Sequence, residues 1–224
     1  MQVMIHAVPS RMWYVREYLV PMLEEQHADD VVVYCDSEKD GNLKAWLKSV
    51  LLCGDEGNTW HLQDDVIISH DFVNVAQQYE KKQGIVCGFK SVYDGDNPSG
   101  RVSTQQMWFS FPCIRIPNKI VKECSVWCST YMIGNPVYRE YWQGGVNDDY
   151  MFRRYVLDYY KDEPVYNLAP NIVDHIDYLI GGTVNSNSRI RVIRSKLWED
   201  EYLVEELSKK LRTRHVVQIE NIEE

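Results

Sequence analysis

Two pairs of adjacent aspartates stand out as groups able to do chemistry. The first, Asp64-Asp65, follows Gln63 and a short apolar stretch at residues 60–62 and precedes another at residues 66–68. Two carboxylates held at a strand end repel each other. Burying them calls for a cation or several donors, and a hard divalent ion that also bridges phosphate oxygens supplies that compensation. A solvated turn with an Asx cap would place the same residues without any chemistry. The second pair, Asp148-Asp149, follows Gly144-Gly145 and opens a stretch of helical period. There a carboxylate acts either as a cap favoured by the helix dipole or as a general base for an acceptor hydroxyl, with Trp142 offering an aromatic face to a ring.

A third feature is Asn171-Ile172-Val173-Asp174-His175. A single histidine at such a place is a structural hydrogen-bonder or, as a neutral imidazole, a metal ligand. Beyond it lies the one dense basic stretch, with Arg189, Arg191, Arg194 and Lys196. Such a cluster neutralises a diphosphate, touches a phosphate backbone, or forms a solvated face balancing the acidic C-terminal segment.

Several elements have to position these groups. Residues 2–8 and 31–35 are apolar without alternation, the pattern of strands covered on both faces, and Asp36 stands just past the second. Residues 60–62 form a third strand, residues 85–89 a fourth, and residues 164–168 a short last one. Residues 107–116 are β-prone but contain Pro112, which predicts an edge or bent strand. Helical spacing marks residues 15–23, with Pro21 expected to kink or end that helix, and residues 42–52, 71–82, 119–132, 148–160 and 198–211. Residues 94–100 read as a loop. Strands alternating with helices predict an α/β fold with a mainly parallel central sheet, ligands binding beyond the carboxyl ends of its strands, and an irregular C-terminal half. A single domain is expected: residues 1–90 as a nucleotide-binding half, 91–190 as the acceptor side, and 191–224 as a helical extension.

Composition narrows the function. With 24 Lys and Arg against 33 Asp and Glu, the net charge of -9 argues against a general nucleic-acid binder. The six cysteines are scattered, with no C-x-x-C pair, so neither a zinc site nor a disulfide framework is indicated. No apolar run approaches the roughly 20 residues of a membrane span, and the opening residues lead into a strand without a charged n-region or cleavage site. A cytoplasmic location is expected.

In this order the pieces resemble a glycosyltransferase of the GT-A fold, a Rossmann-like family using nucleotide-diphospho-sugars. The resemblance covers residues 1–190. It rests on Ala7-Val8-Pro9-Ser10-Arg11, on Asp36, on Gln63-Asp64-Asp65, and on Asp148-Asp149 followed by Asn171 to His175. It implies that Ser10, Arg11 and Asp36 contact the nucleotide, Asp36 through the base, with Arg189 and Arg191 as further donor-side contacts. The family's D-x-D signature would be Gln63-Asp64-Asp65, with Gln at the first acidic position; the metal role then falls on Asp65, and Asp64 lies near the ribose or the metal. His175 matches the late histidine that completes the metal shell, and Mn²⁺ or Mg²⁺ is the implied cofactor. In an inverting member Asp148-Asp149 would supply the base, Asp149 being preferred.

The implied donor is a UDP-sugar and the implied acceptor a carbohydrate or lipid-linked hydroxyl. A modified DNA base, as in phage enzymes, is the alternative acceptor and would need a basic track. A sugar nucleotidyltransferase would place glycines in the loop Val8-Pro9-Ser10-Arg11, which has none. A non-catalytic nucleotide-sugar or nucleic-acid binding module, its acidic pairs acting only as caps, is the remaining alternative.

Overall fold

Of the two unbroken apolar runs near the N-terminus, the first becomes an interior strand, whereas residues 31–35, expected to be covered on both faces, form an edge strand whose residues are only partly buried. β1 (Gln2–Ala7) lies between β2 (Asp30–Cys35) and β3 (Asn58–Gln63) and is parallel to both. Val3, Met4 and Ile5 are fully buried, as a strand covered on both faces requires. The computed structural model describes residues 1–89, 100–102, 104, 109, 111–132, 148–169, 171–176 and 180. Among these the central sheet has seven strands in the order β2-β1-β3-β7-β5-β8-β6, and β4 (Val66–Ile68) pairs with β9 (Val173–His175) in a separate antiparallel ribbon. β5 (Ile85–Cys87) and β8 (Val165–Asn167) point the same way as β1, whereas β7 (Cys113–Pro117) and β6 (Gly100–Val102) run against them. The chain is therefore α/β, with a mixed and mostly parallel sheet.

Alternation along the strands sends side chains into two cores. Val3, Ile5, Ala7, Trp60, Leu62 and Val86 meet the β4–β9 ribbon, the helix α3 (Phe72–Tyr79) and the helical segment that follows β1. That segment, α1, comprises Met12–Tyr14, a widened π turn at Val15–Leu19, and Val20–Glu25. On the other face, Ile85, Cys87, Ile114 and Ile116 pack against α2 (Asn42–Val50), α4 (Asn118–Trp127) and α5 (Asp148–Tyr159). Five of the six cysteines are buried, and all six are free thiols, packed as small hydrophobes. No helix among the described residues is long and apolar enough to cross a membrane.

Two further expectations are corrected. Of the edge or bent strand expected over residues 107–116, the edge alternative is overturned for the described part: β7 is central, between β3 and β5. Pro112 stands immediately before β7, so its missing N–H costs no ladder bond, and its carbonyl accepts from the Gln63 amide at 3.3 Å. Pro21 does not end its helix either. It occupies the first turn of Val20–Glu25, directly after the π turn, where the wider winding accommodates a residue without an amide donor. The strand β6 also starts at Gly100, within the expected loop. The final helix expected at residues 198–211 and the rest of the extension lie outside the described residues.

Burying Arg115 in the central strand requires partners. Its guanidinium donates to the carbonyls of Tyr79, Lys82 (2.7 Å) and Gly84 (2.6 Å), placing a cation at the negative end of α3. Gly84 has φ +99, and a Cβ there would come within 2.0 Å of the Pro164 carbonyl oxygen, so only glycine lets β5 start beside β8.

The α2 side of the sheet also holds two neutral imidazoles. His6 Nε2 lies 3.0 Å from His61 Nδ1, and Ser49 Oγ lies 3.0 Å from His6 Nδ1 while donating to the Trp46 carbonyl at 2.7 Å. Because the Ser49 proton is committed, His6 donates from Nδ1 and accepts at Nε2 from His61. That leaves His61 Nε2 bare and buried without a partner. Burial lowers the His6 pKa to about 4, and His61 is driven down by burial and then by its neighbour. Both pKa values fall below the unfolded value, so their contribution to stability is complete above about pH 6.5 and is lost as pH falls toward 4. His61→Leu is expected to lessen the acid-induced loss by about 1–3 kcal/mol, read as the difference in denaturation free energy between variant and wild type at pH 7 and pH 5. Identical pH slopes would show that the pair does not carry this term.

Candidate active site

Four side chains from three distant segments meet at the carboxyl end of β1 and β3. β1 ends in the tight turn Pro9–Arg11, closed by the Arg11 amide donating to the Val8 carbonyl at 3.0 Å. This turn exposes Ser10 but buries Arg11. Arg11 Nη1 contacts Asp64 Oδ1 and Asp65 Oδ2, both at 2.6 Å. The Val8 amide donates to Asp64 Oδ2 at 2.7 Å. His175 Nε2, at the end of β9, lies 3.1 Å from Asp65 Oδ1.

The backbone holds these groups in register. The Asp64 amide donates to the His6 carbonyl at 3.0 Å, so Asp64 continues the pairing of β1 with β3. The Ile176 amide donates to the Asp65 carbonyl at 2.7 Å, locking the β9 end beside the acidic pair. Tyr14, three residues along the first helix from Arg11, donates from its hydroxyl to the Val66 carbonyl at 2.8 Å.

Burial acts against ionisation of both aspartates, yet they respond differently. At Asp65, His175 and Arg11 outweigh the burial cost and hold the carboxyl below its usual range. At Asp64, burial and the adjacent Asp65 charge outweigh Arg11 and the Val8 amide, raising the carboxyl to about 6. The pair therefore takes up a proton first at Asp64.

The chemistry of the donor set can be tested against a divalent ion. Asp65 Oδ1 is buried and faces the imidazole nitrogen at 3.1 Å, the contact through which His175 favours the ionised carboxyl. Adjacent ligands of a small divalent ion with bonds of about 2.1 Å stand about 3 Å apart, so this oxygen and nitrogen have the spacing of a ligand pair. Among the described residues no group of three or more His, Cys, Asp or Glu gathers to hold a metal ion. An ion there would take two protein ligands and complete its shell from water or phosphate, which suits Mg²⁺-like sites. The nitrogen ligand favours a transition ion.

The other expected residues divide between two places. Asp36 is buried at the end of β2 and accepts from the amides of Asp40 (3.0 Å) and Gly41 (3.3 Å), so its carboxylate organises the loop leading to α2. Asp148 and Asp149 open α5, on the opposite face of the sheet from α1. α5 leads through a short turn to the start of β8, which runs parallel to β5, and its Phe152 packs on Phe111 just before β7. Asp148 therefore shares the carboxyl edge with the Arg11 cluster but not its face. Arg189, Arg191 and Trp142 lie outside the described residues.

Two parts of the site were not foreseen. The Val8 amide carries no side-chain signal in the sequence. Tyr14 stands three positions after Arg11, a helical spacing that marked it for the same surface. Comparison with family models finds no match, and neither does comparison with curated protein sequences.

Asp148 is buried, and burial, reinforced by the Asp149 charge, raises its carboxyl to about 7 against the pull of the Asp149 amide. Asp149 is half-buried and accepts from the Tyr150 amide at 2.6 Å. Because the folded pKa of Asp148 exceeds the unfolded one, its neutral form favours the fold at low pH, and that advantage is lost as pH rises from about 4 to about 7. Asp148→Asn is expected to gain about 1–3 kcal/mol over wild type at pH 8 and far less at pH 4.5. Equal differences at the two pH values would show that Asp148 is not held protonated.

Proposed function

We propose that this chain is a metal-dependent glycosyltransferase of the GT-A type, moving a sugar from a nucleotide-diphospho-sugar, in first instance a UDP-sugar, to an acceptor hydroxyl. The observation that carries the reading is the convergence of Arg11, Asp64, Asp65 and His175 at the carboxyl edge of an α/β sheet, where such folds bind ligands. Asp65 and His175 would hold Mn²⁺ or Mg²⁺, which when bound supplies a positive charge for the departing diphosphate. Arg11 adds a second cation beside it, placed where negative charge grows as the sugar leaves. Ser10, exposed on the turn after β1, and Asp36, at the next strand end, would flank the nucleotide. Asp149, half-buried at the head of α5, would take the proton of the acceptor hydroxyl with Asp148 behind it. The net charge of -9 favours a carbohydrate or lipid-linked acceptor over a DNA base, since duplex DNA is drawn to positive charge.

A second reading has its own support. Arg11 already bridges both aspartates, as it would in the purely structural ion cluster of a non-catalytic module. Calorimetry separates the two. The transferase reading expects UDP to bind at least tenfold more tightly with Mn²⁺ than with EDTA, and Asp65→Ala to abolish that difference together with UDP-sugar hydrolysis while leaving a cooperative melt. Absence of UDP binding under both conditions would favour the module.

A further inference from the structure

The acidic pair at the carboxyl edge already holds a cation, and the way it is held is informative. Both contacts come from one atom, Arg11 Nη1, at 2.6 Å from Asp64 Oδ1 and 2.6 Å from Asp65 Oδ2. Neither carboxylate receives the two-nitrogen fork that makes arginine–carboxylate pairs strongest. Asp64 has an independent donor in the Val8 amide at 2.7 Å, so it keeps a partner when the guanidinium moves. Asp65 is divided between two tasks: Oδ2 meets Arg11, while the buried Oδ1 faces His175. The Arg11 side chain is about 10% exposed, at the end of a turn whose Pro9 and Ser10 are exposed. It thus has a short path from the acidic pair to the surface.

Charge counting gives this arrangement a consequence. With a neutral imidazole, Arg11, Asp64 and Asp65 together carry one net negative charge. A dication placed on Asp65 reverses that sign in a poorly hydrated place, leaving one net positive charge with two cations beside each other, which is costly. An added diphosphate removes the excess charge and offers the guanidinium a new planar oxyanion partner.

We propose that Arg11 is a resident counter-ion: it occupies Asp65 until a divalent cation arrives together with a diphosphate, then turns from the aspartates to the diphosphate, so that metal and diphosphate bind as a coupled pair. The inference rests on the transferase reading and concerns how that same site is filled.

The test measures Mn²⁺ binding to the full chain by calorimetry and by the electron paramagnetic resonance signal of free Mn²⁺, with and without UDP. Wild type should bind Mn²⁺ at least tenfold more tightly when UDP is present. Arg11→Gln should bind Mn²⁺ at least tenfold more tightly than wild type without UDP, and UDP should improve that by less than threefold. If Arg11→Gln does not fold, Arg11→Met takes its place, since it keeps most of the length of the side chain and removes its charge; the same directions are expected. Arg11 variants that bind Mn²⁺ no better than wild type, while UDP still tightens binding fully, overturn the counter-ion role alone. A wild type that binds no Mn²⁺ with or without UDP overturns the transferase reading and this inference with it.

Discussion

A single guanidinium lying between two buried carboxylates is the constraint on which the rest of this structure depends. Adjacent aspartates in a poorly hydrated place repel each other, and leaving them without Arg11 would cost about 3–5 kcal/mol on the general behaviour of broken buried ion pairs. Arg11 reaches them because the chain turns tightly after β1, and the aspartates reach Arg11 because β3 runs beside β1 in parallel register. The same carboxylate that meets Arg11 also faces His175, so the late ribbon is drawn into the electrostatics of the first strands. Sheet order, turn geometry and ribbon pairing therefore answer to one local charge problem.

Much of this was legible in the residues, and the reasons are specific. β1 announced itself because a strand covered on both faces is apolar without alternation; the same signal located β2 but misplaced it, since β2 is an edge strand whose residues are only partly buried. The start of α5 was marked by its acidic pair, and it begins at Asp148 as expected. The approach of Asp64, Asp65 and His175 was suggested only by a family resemblance, because nothing local in residues 171–175 says that they pair with residues 66–68. The central place of β7 was hidden for a different reason: Pro112 weighs against an interior strand only if it lies within the ladder, and its position one residue outside cannot be read from composition. The aromatic residues were ambiguous between platform and core. Trp46 and Trp60 turn out to be nearly fully buried, which assigns these two to the core.

The sheet separates two kinds of ionisable group. On the α2 side, His6 and His61 are kept neutral by burial and satisfied largely by each other and by Ser49. Around Arg11 the groups are buried too, but are held together by opposite charge. Both sets adjoin β1 and β3, with His6 and His61 inside the strands and Arg11, Asp64 and Asp65 just past their ends. The interior strands thus act as a partition, with uncharged ionisable groups on one side and an ion cluster on the other, and rigid strands suit that purpose better than loops would.

The β4–β9 ribbon has a temporal meaning as well as a spatial one. Its two strands are separated by roughly half the chain, so their pairing closes a long loop and belongs among the slow, late events of folding. During synthesis the first strands and their aspartates emerge well before residues 173–175, and the nascent chain has Arg11 but no imidazole at its acidic pair. The complete constellation can exist only after residues 173–175 have been made and paired with β4, which ties this edge to a long-range closure of the chain.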